Sequence, residues 1–201
     1  MEVFSLKNIP NYYLKKRFGF TPDYQISHHL SHASAAYFTS PYDNAISINI
    51  DAIGEWECAT IWYIETDSKK RTKFTKLWSE SYPNSLGLWY SAMTQRLGLK
   101  PQEDEYILMG MDAWGSRDER IKNQIYTDLV KSNINLNRGC KWWDLDFYPD
   151  DGSEKWKFDI ASNTQWVCEE EIMKVMKKAK DIVPETSNLV FMGGVALNCV
   201  A

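Results

Sequence analysis

Two periodicities alternate along the chain. Leu86, Trp89, Tyr90, Met93 and Leu97 recur at steps of three and four, which places them on one face of a helix over residues 85–97. Gly98 follows as a left-handed cap. Trp166, Val167, Ile172, Val175, Met176 and Ala179 predict a longer helix over residues 160–182, stopped by Pro184. A third helix is expected over residues 28–37, with Ser27 as its N-cap and Ser40-Pro41 beyond its end. Weaker patterns mark helices over residues 12–18 and 117–131. The segments 45–51 (AISINID), 59–65 (ATIWYIE) and 72–78 are rich in β-branched and aromatic residues. One break between them holds Gly54 and the other the polar run Lys69-Lys70-Arg71, so they predict an antiparallel meander with solvated turns. Residues 189–192 read as a short buried strand running into Gly193-Gly194, and residues 133–153 as an irregular, aromatic lid or insertion. Strands and helices mixed in this order indicate an α/β domain.

Composition narrows the function classes. A length of 201 residues, 44% hydrophobic and 25% charged, fits one folded domain or a large part of one. Nine tryptophans and eleven tyrosines exceed the needs of a minimal core, so they form a Trp-rich core or line a cleft for a flat ligand. The net charge of −4 and the lack of a basic stripe argue against nucleic acid. No apolar run is long enough to span a membrane, and residues 1–20 lack the apolar stretch of a secretory leader, so a cytoplasmic location is expected. Cys58, Cys140, Cys168 and Cys199 form no C-x-x-C pair, and no disulfide framework is expected.

All three histidines fall within five residues: His28, His29 and His32. On a helix, His28 and His32 lie one turn apart on one face and could share a metal ion; His29 and His32 could also converge, so spacing does not choose the pair. Imidazole suits zinc, iron, nickel or copper alike. Asp51 ends a strand, where open α/β sheets place ligands, and would complete a two-His, one-carboxylate set. The competing reading is a turn-forming Asp ahead of Gly54. Gly193-Gly194 after a strand lets backbone amides approach an anion, or is only a tight turn. Asn198 stands one turn further on, within reach of a ribose or phosphate oxygen. Gly87 inside a good helix costs about 1 kcal/mol relative to Ala, which points to close approach of a ligand or of another backbone.

Five stretches in this order resemble the NodU/CmcH carbamoyltransferase family: HHLSHASAAYFTSP (28–41), INIDAIGEWECATIW (48–62), PNSLGLWYSAMTQRLGL (83–99), EYILMGMDAWG (105–115), and FDIASNTQWVCEEEI (158–172) with FMGGVALNC (191–199). The resemblance implies an actin-like ATPase (ribonuclease H-like) fold, here incomplete: a mixed sheet with flanking helices. It divides the chain into a short N-terminal segment, 1–27, and a partial nucleotide- and metal-binding domain, 28–201. It implies transfer of a carbamoyl group from carbamoyl adenylate to a hydroxyl on a sugar or natural product. The adenylate is made from ATP and carbamoyl phosphate by a YrdC-like domain that this chain lacks. By the same resemblance His28, His32 and Asp51 hold a divalent metal, Fe2+ being the usual suggestion. His32 and Asp51 also serve the reaction, in which metal and carboxylate share the activation of the acceptor; His29 and Glu55 are candidate bases. Gly87 and Asn198 match nucleotide-contact positions, and Gly193 and Gly194 the turn beside the adenylate.

Departures from the family pattern accompany the match. Asp51 is followed by Ala52 where the family has glycine, which predicts a shifted loop. Ile107-Leu108-Met109-Gly110 lacks the family's lysine, and Met111-Asp112-Ala113-Trp114 replaces Leu-Ala-Pro-Tyr. The chain stops at Ala201, where a helix is expected, and so reads as an incomplete piece that cannot make carbamoyl adenylate alone. The expectation is that it works with missing parts supplied by a longer chain or a partner polypeptide. The alternatives are a degenerate, non-catalytic nucleotide- and metal-binding module or a metal-dependent hydrolase.

Overall fold

The structure, a computed structural model, describes residues 9–201; the first eight residues of the expected 1–27 segment lie outside the described residues. The elements are α1 (Ile9–Phe18), α2 (His28–Phe38), β1 (Asn44–Gly54), β2 (Glu57–Thr66), β3 (Thr72–Ser81), α3 (Leu86–Arg96), α4 (Glu105–Met111), α5 (Glu119–Ile125), α6 (Glu154–Ile182) and β4 (Leu189–Met192). The sheet order is β3-β2-β1-β4. The predicted meander pairs antiparallel, and β4 returns to pair parallel with β1, Ile46 opposite Leu189 and Asn49 opposite Met192.

The alternation of β1 sorts its side chains between two faces. Ile46, Ile48 and Ile50 join Trp89, Met93, Trp156 and Ile160 in the main core under α3 and α6. On the other face α2 lays Ala33, Ala36 and Tyr37 against Ala45, Trp62, Ile64 and Val190. Burial of this kind is worth about 25 cal/mol per Å2 of apolar surface, so the α3–α6 side carries most of the stability.

Three expectations need correction. The long helix begins at Glu154, six residues before the apolar pattern starts, because Ser153 caps it by accepting from the Trp156 amide at 3.0 Å. The helix over 117–131 is instead α5, which loosens into a π turn at Tyr126–Val130. Residues 133–153 are not a lid. Cys140, Trp143 and Leu145 are buried in the main core, and Arg96 ties the segment down through the Trp143 carbonyl at 2.5 Å and Asp150 at 2.9 Å. Helix α4 and the 3-10 turn Asp112–Trp114 were not foreseen. Among the described residues all four cysteines are free, and no helix is long and apolar enough to cross a membrane.

Candidate metal centre

Helix α2 meets the carboxyl end of β1 with its first turn. His28 and His32 are one turn apart and both turn Nε2 toward Asp51 Oδ2, at 2.7 and 2.9 Å, while the two nitrogens lie 3.0 Å from each other. With Asp51 ionised, no placement of protons satisfies all three contacts. If both imidazoles carry a proton on Nε2, two N–H groups face each other; if either is bare, its lone pair faces the carboxylate. A cation between them satisfies all three at once. Donors about 2.1 Å from one ion stand roughly 3.0 Å apart at right angles and roughly 3.4 Å apart at tetrahedral angles. The observed separations match the right-angled, facial arrangement. His28, His32 and Asp51 therefore fit a transition-metal ion.

The competing pair, His29 with His32, is ruled out by the sheet. His29 is buried, its Nε2 lies 2.9 Å from the Glu57 carbonyl, and its Nδ1 lies 3.3 Å from Thr60 Oγ1. Thr60 Oγ1 already accepts from Asn49 Nδ2 and Trp62 Nε1, so its own proton goes to His29 Nδ1. That fixes His29 as the neutral Nε2–H form, and burial pushes its pKa down. Both ring nitrogens are engaged, so His29 is not the general base considered from the sequence. Glu55, the other candidate, is exposed in the β1–β2 turn at φ 61°.

Asp51 is held from several sides. Its Oδ1 accepts from the Ala52 amide at 2.8 Å and the Gly194 amide at 3.3 Å, leaving Oδ2 for the histidines. Burial alone would raise its pKa, but the hydrogen bonds from His28, the Ala52 amide and His32 outweigh it and hold the carboxyl below its usual range. Ala52 lies where the β1–β2 register shifts, between Ile50 and Gly54, and the positive φ falls further on, at Glu55. Ser85 caps α3 by accepting from the Leu88 amide and donates its own proton to the Ala52 carbonyl, which pins the α3 start to the end of β1.

The glycines explain this crowding. A Cβ on Gly87 would lie 2.7 Å from the Ala52 nitrogen, so its partner here is another backbone. Gly193, at φ 100°, passes the Ile50 carbonyl where a Cβ would sit at 2.3 Å, and a Cβ on Gly194 would stand 2.8 Å from Asp51 Oδ1. Only a four-residue 3-10 turn, Gly194–Leu197, follows. Asn198 exchanges two hydrogen bonds with the Gln165 side chain, at 3.0 and 2.8 Å, and Tyr90 donates to the same Gln165 oxygen at 2.9 Å. Sequence reading missed Gln165, which is polar in the middle of an apolar helix face. It also treated Gly54 as a turn, whereas a Cβ there would lie 2.4 Å from His28 Cδ2 and 2.9 Å from His29 Cδ2. Gly54 is the floor on which both rings rest.

The family model described as carbamoyltransferase N-terminus matches residues 3–201. An uncharacterized protein of Synechocystis sp. is 31% identical over 199 residues, covering 87% of this chain and 30% of that protein. An uncharacterized protein of Methanocaldococcus jannaschii is 24% identical over 180 residues, covering 82% of this chain and 28% of that protein. The chain thus spans less than a third of the length of these curated relatives. With the family match running over nearly all of the chain, and the strands, glycine turns and histidines where its resembling stretches lie, this chain belongs to the carbamoyltransferase N-terminal domain family.

Proposed function

We propose that this chain is the metal- and nucleotide-handling part of an O-carbamoyltransferase of the NodU/CmcH kind, built on the actin-like ATPase fold, and that His28, His32 and Asp51 hold a divalent metal, with iron favoured. The observation that carries the metal reading is the convergence of three donor atoms whose separations, 2.7, 2.9 and 3.0 Å, no set of protons satisfies. Two histidines and one carboxylate leave coordination positions open, as in non-haem Fe(II) sites.

The reaction joins an acceptor oxygen to the carbamoyl carbon of carbamoyl adenylate and breaks that carbon's bond to the phosphate oxygen, so AMP leaves and the acceptor proton is lost. A bound metal would supply Lewis acidity, easing ionisation of the acceptor hydroxyl and stabilising developing negative charge. The chain's own contribution is preorganisation. Asp51 is fixed by two backbone amides, so its Oδ2 keeps one direction, and His32 is fixed by its place on α2. Gly193 and Gly194 bring the β4 turn against β1, beside which the adenylate phosphate would lie, with Asn198 flanking it and Gly87 letting α3 close on the β1 backbone. Asn198 keeps one N–H beyond its pairing with Gln165. The carbamoyl adenylate would come from a YrdC-like unit in a longer chain or a partner.

The test is metal content and AMP or ATP affinity of the purified chain, beside a His28→Ala/His32→Ala variant. Bound transition metal that the variant loses, with micromolar nucleotide affinity, is the expected result. A chain that takes up neither is a non-catalytic module, and the reading fails. Turnover of ATP and carbamoyl phosphate by the chain alone would overturn the division of labour.

A further inference from the structure

On the face of β1 opposite the metal centre lies a cavity of about 360 Å3, within the roughly 300–1,000 Å3 of small-molecule sites. Asp51 turns toward α2, but its neighbour Ile50 turns the other way and lines this cavity. Trp78 of β3 and Trp89 of α3 provide aromatic walls, and Leu86, Ile134 and Val175 complete an apolar interior. Two tryptophans line this cavity, whereas Trp62, Trp143 and Trp156 are buried in the core.

The polar groups around the cavity are unevenly satisfied. Its acids are engaged: Glu171 takes Lys174 at 2.5 Å, and Glu80 Oε1 accepts from Asn84 Nδ2 at 3.0 Å and the Ser81 amide at 3.2 Å. Its donors are not. Lys178 Nζ stands 4.3 Å from the centre of the Trp78 ring, and among the described residues it has no carboxylate partner. Trp89 is 3% exposed, and among the described residues its indole N–H has no acceptor. A buried donor without a partner costs about 1–3 kcal/mol, and this one lies in the wall, shielded from the open cavity.

We propose that this cavity is a second ligand site, separate from the metal centre, and that it takes a planar aromatic carboxylate. The ring lies against the tryptophan walls and the carboxylate meets the Lys178 ammonium. The cavity shares no residue with His28, His32 and Asp51, so ligand binding here does not depend on metal binding there.

The probe is 2-naphthoate, titrated into the purified chain by calorimetry and saturation-transfer NMR, with naphthalene-2-carboxamide as its neutral counterpart. Saturable one-to-one binding that prefers the carboxylate is expected. Lys178→Gln, on the exposed face of α6, should weaken naphthoate by roughly 2–5-fold, the scale of an exposed charge contact, and erase the preference over the carboxamide. Val175→Trp should fill the cavity and abolish binding of both compounds while unfolding remains cooperative. Should Val175→Trp not fold, the Lys178→Gln comparison decides. Absence of saturable naphthoate binding to the parent chain, equal binding of carboxamide and carboxylate, or unchanged binding in Lys178→Gln would each overturn the proposal.

Discussion

Replacing Gly54 by alanine tests how the proposed metal centre is built without touching a proposed ligand. The new Cβ would stand 2.4 Å from His28 Cδ2, 2.7 Å from His28 Cγ and 2.9 Å from His29 Cδ2. Carbon atoms rest at about 3.5–4.0 Å, so something must retreat by about 1 Å. His29 has little room to yield, because both of its ring nitrogens are bonded to β2. The displacement therefore falls on His28, whose Nε2 must stay within about 0.2 Å of its place to bind metal well. We expect metal affinity to fall about 10–100-fold, as when a residue supporting a metal ligand is lost. Overpacking should cost about 1–3 kcal/mol of stability. Gly110→Ala is the control: in α4 its Cβ meets nothing within 4 Å, and it should stabilise by about 0.4–1 kcal/mol. Metal titration followed by thermal unfolding reads both quantities. A Gly54→Ala chain that binds metal like the parent and melts at the same temperature would show that His28 does not rest on this backbone.

Other parts of the reasoning predict as follows. Gln165→Met should cost about 2–3 kcal/mol in urea unfolding, because Tyr90 and Asn198 lose their shared partner; a loss below 0.5 kcal/mol, on the order of a surface substitution, would mean that the pairing is idle. Burial would raise the Asp159 carboxyl, but Lys155, Tyr148 and the Ser116 amide outweigh it and hold it below the usual range. A depressed pKa contributes stability that is complete above about pH 5 and lost as pH falls through the folded value, below about 4. Asp159→Asn should therefore flatten the acid limb of stability against pH, and an unchanged limb would remove Asp159 from the explanation. Cys58, Cys140 and Cys168 are buried and Cys199 is exposed. Burial pushes Cys140 and Cys168 up to about 12, so a thiol reagent should label Cys199 alone before unfolding, with peptide mapping as the check.

What could be read from the sequence follows from where each signal is encoded. The α3 and β1–β3 patterns are local, since the residues that bury together are close in sequence, and they were found within a few residues. The start of α6 was missed because Glu154-Lys155-Trp156-Lys157 carries no helical stripe; its cap at Ser153 decides it. The choice between His28 and His29 could not be made from spacing. It depends on the Glu57 carbonyl and Thr60 hydroxyl, 28 and 31 residues away, which capture His29 and leave His28 to Asp51. Residues 133–153 read as a lid or an insertion because they lack periodicity, yet irregular backbone can carry core side chains, as Trp143 and Leu145 do.

The glycines carry the remaining logic. Four of them, scattered over 140 positions from Gly54 to Gly194, have their missing Cβ atoms directed at one small region: the two histidine rings, the Asp51–Ala52 backbone, the Ile50 carbonyl and the Asp51 carboxylate. Each is explicable singly as a turn or a tolerated helix defect, which is why each alone is a weak signal. Together they let α2, α3 and the β4 turn close onto the end of β1 at backbone distance. A glycine weakens a helix or strand interior by roughly 0.5–1 kcal/mol relative to alanine. A fold that accepts this at Gly54 in a strand and Gly87 in a helix, both against the residues that frame Asp51, has given up local stability to fix one carboxylate. Fixing matters little for a surface aspartate and a great deal for a metal ligand, the role proposed for Asp51, because metal affinity depends on tenths of an ångström. The same crowding makes the centre intolerant: any side chain at Gly54, Gly87, Gly193 or Gly194 should damage metal binding more than its distance from the ion would suggest.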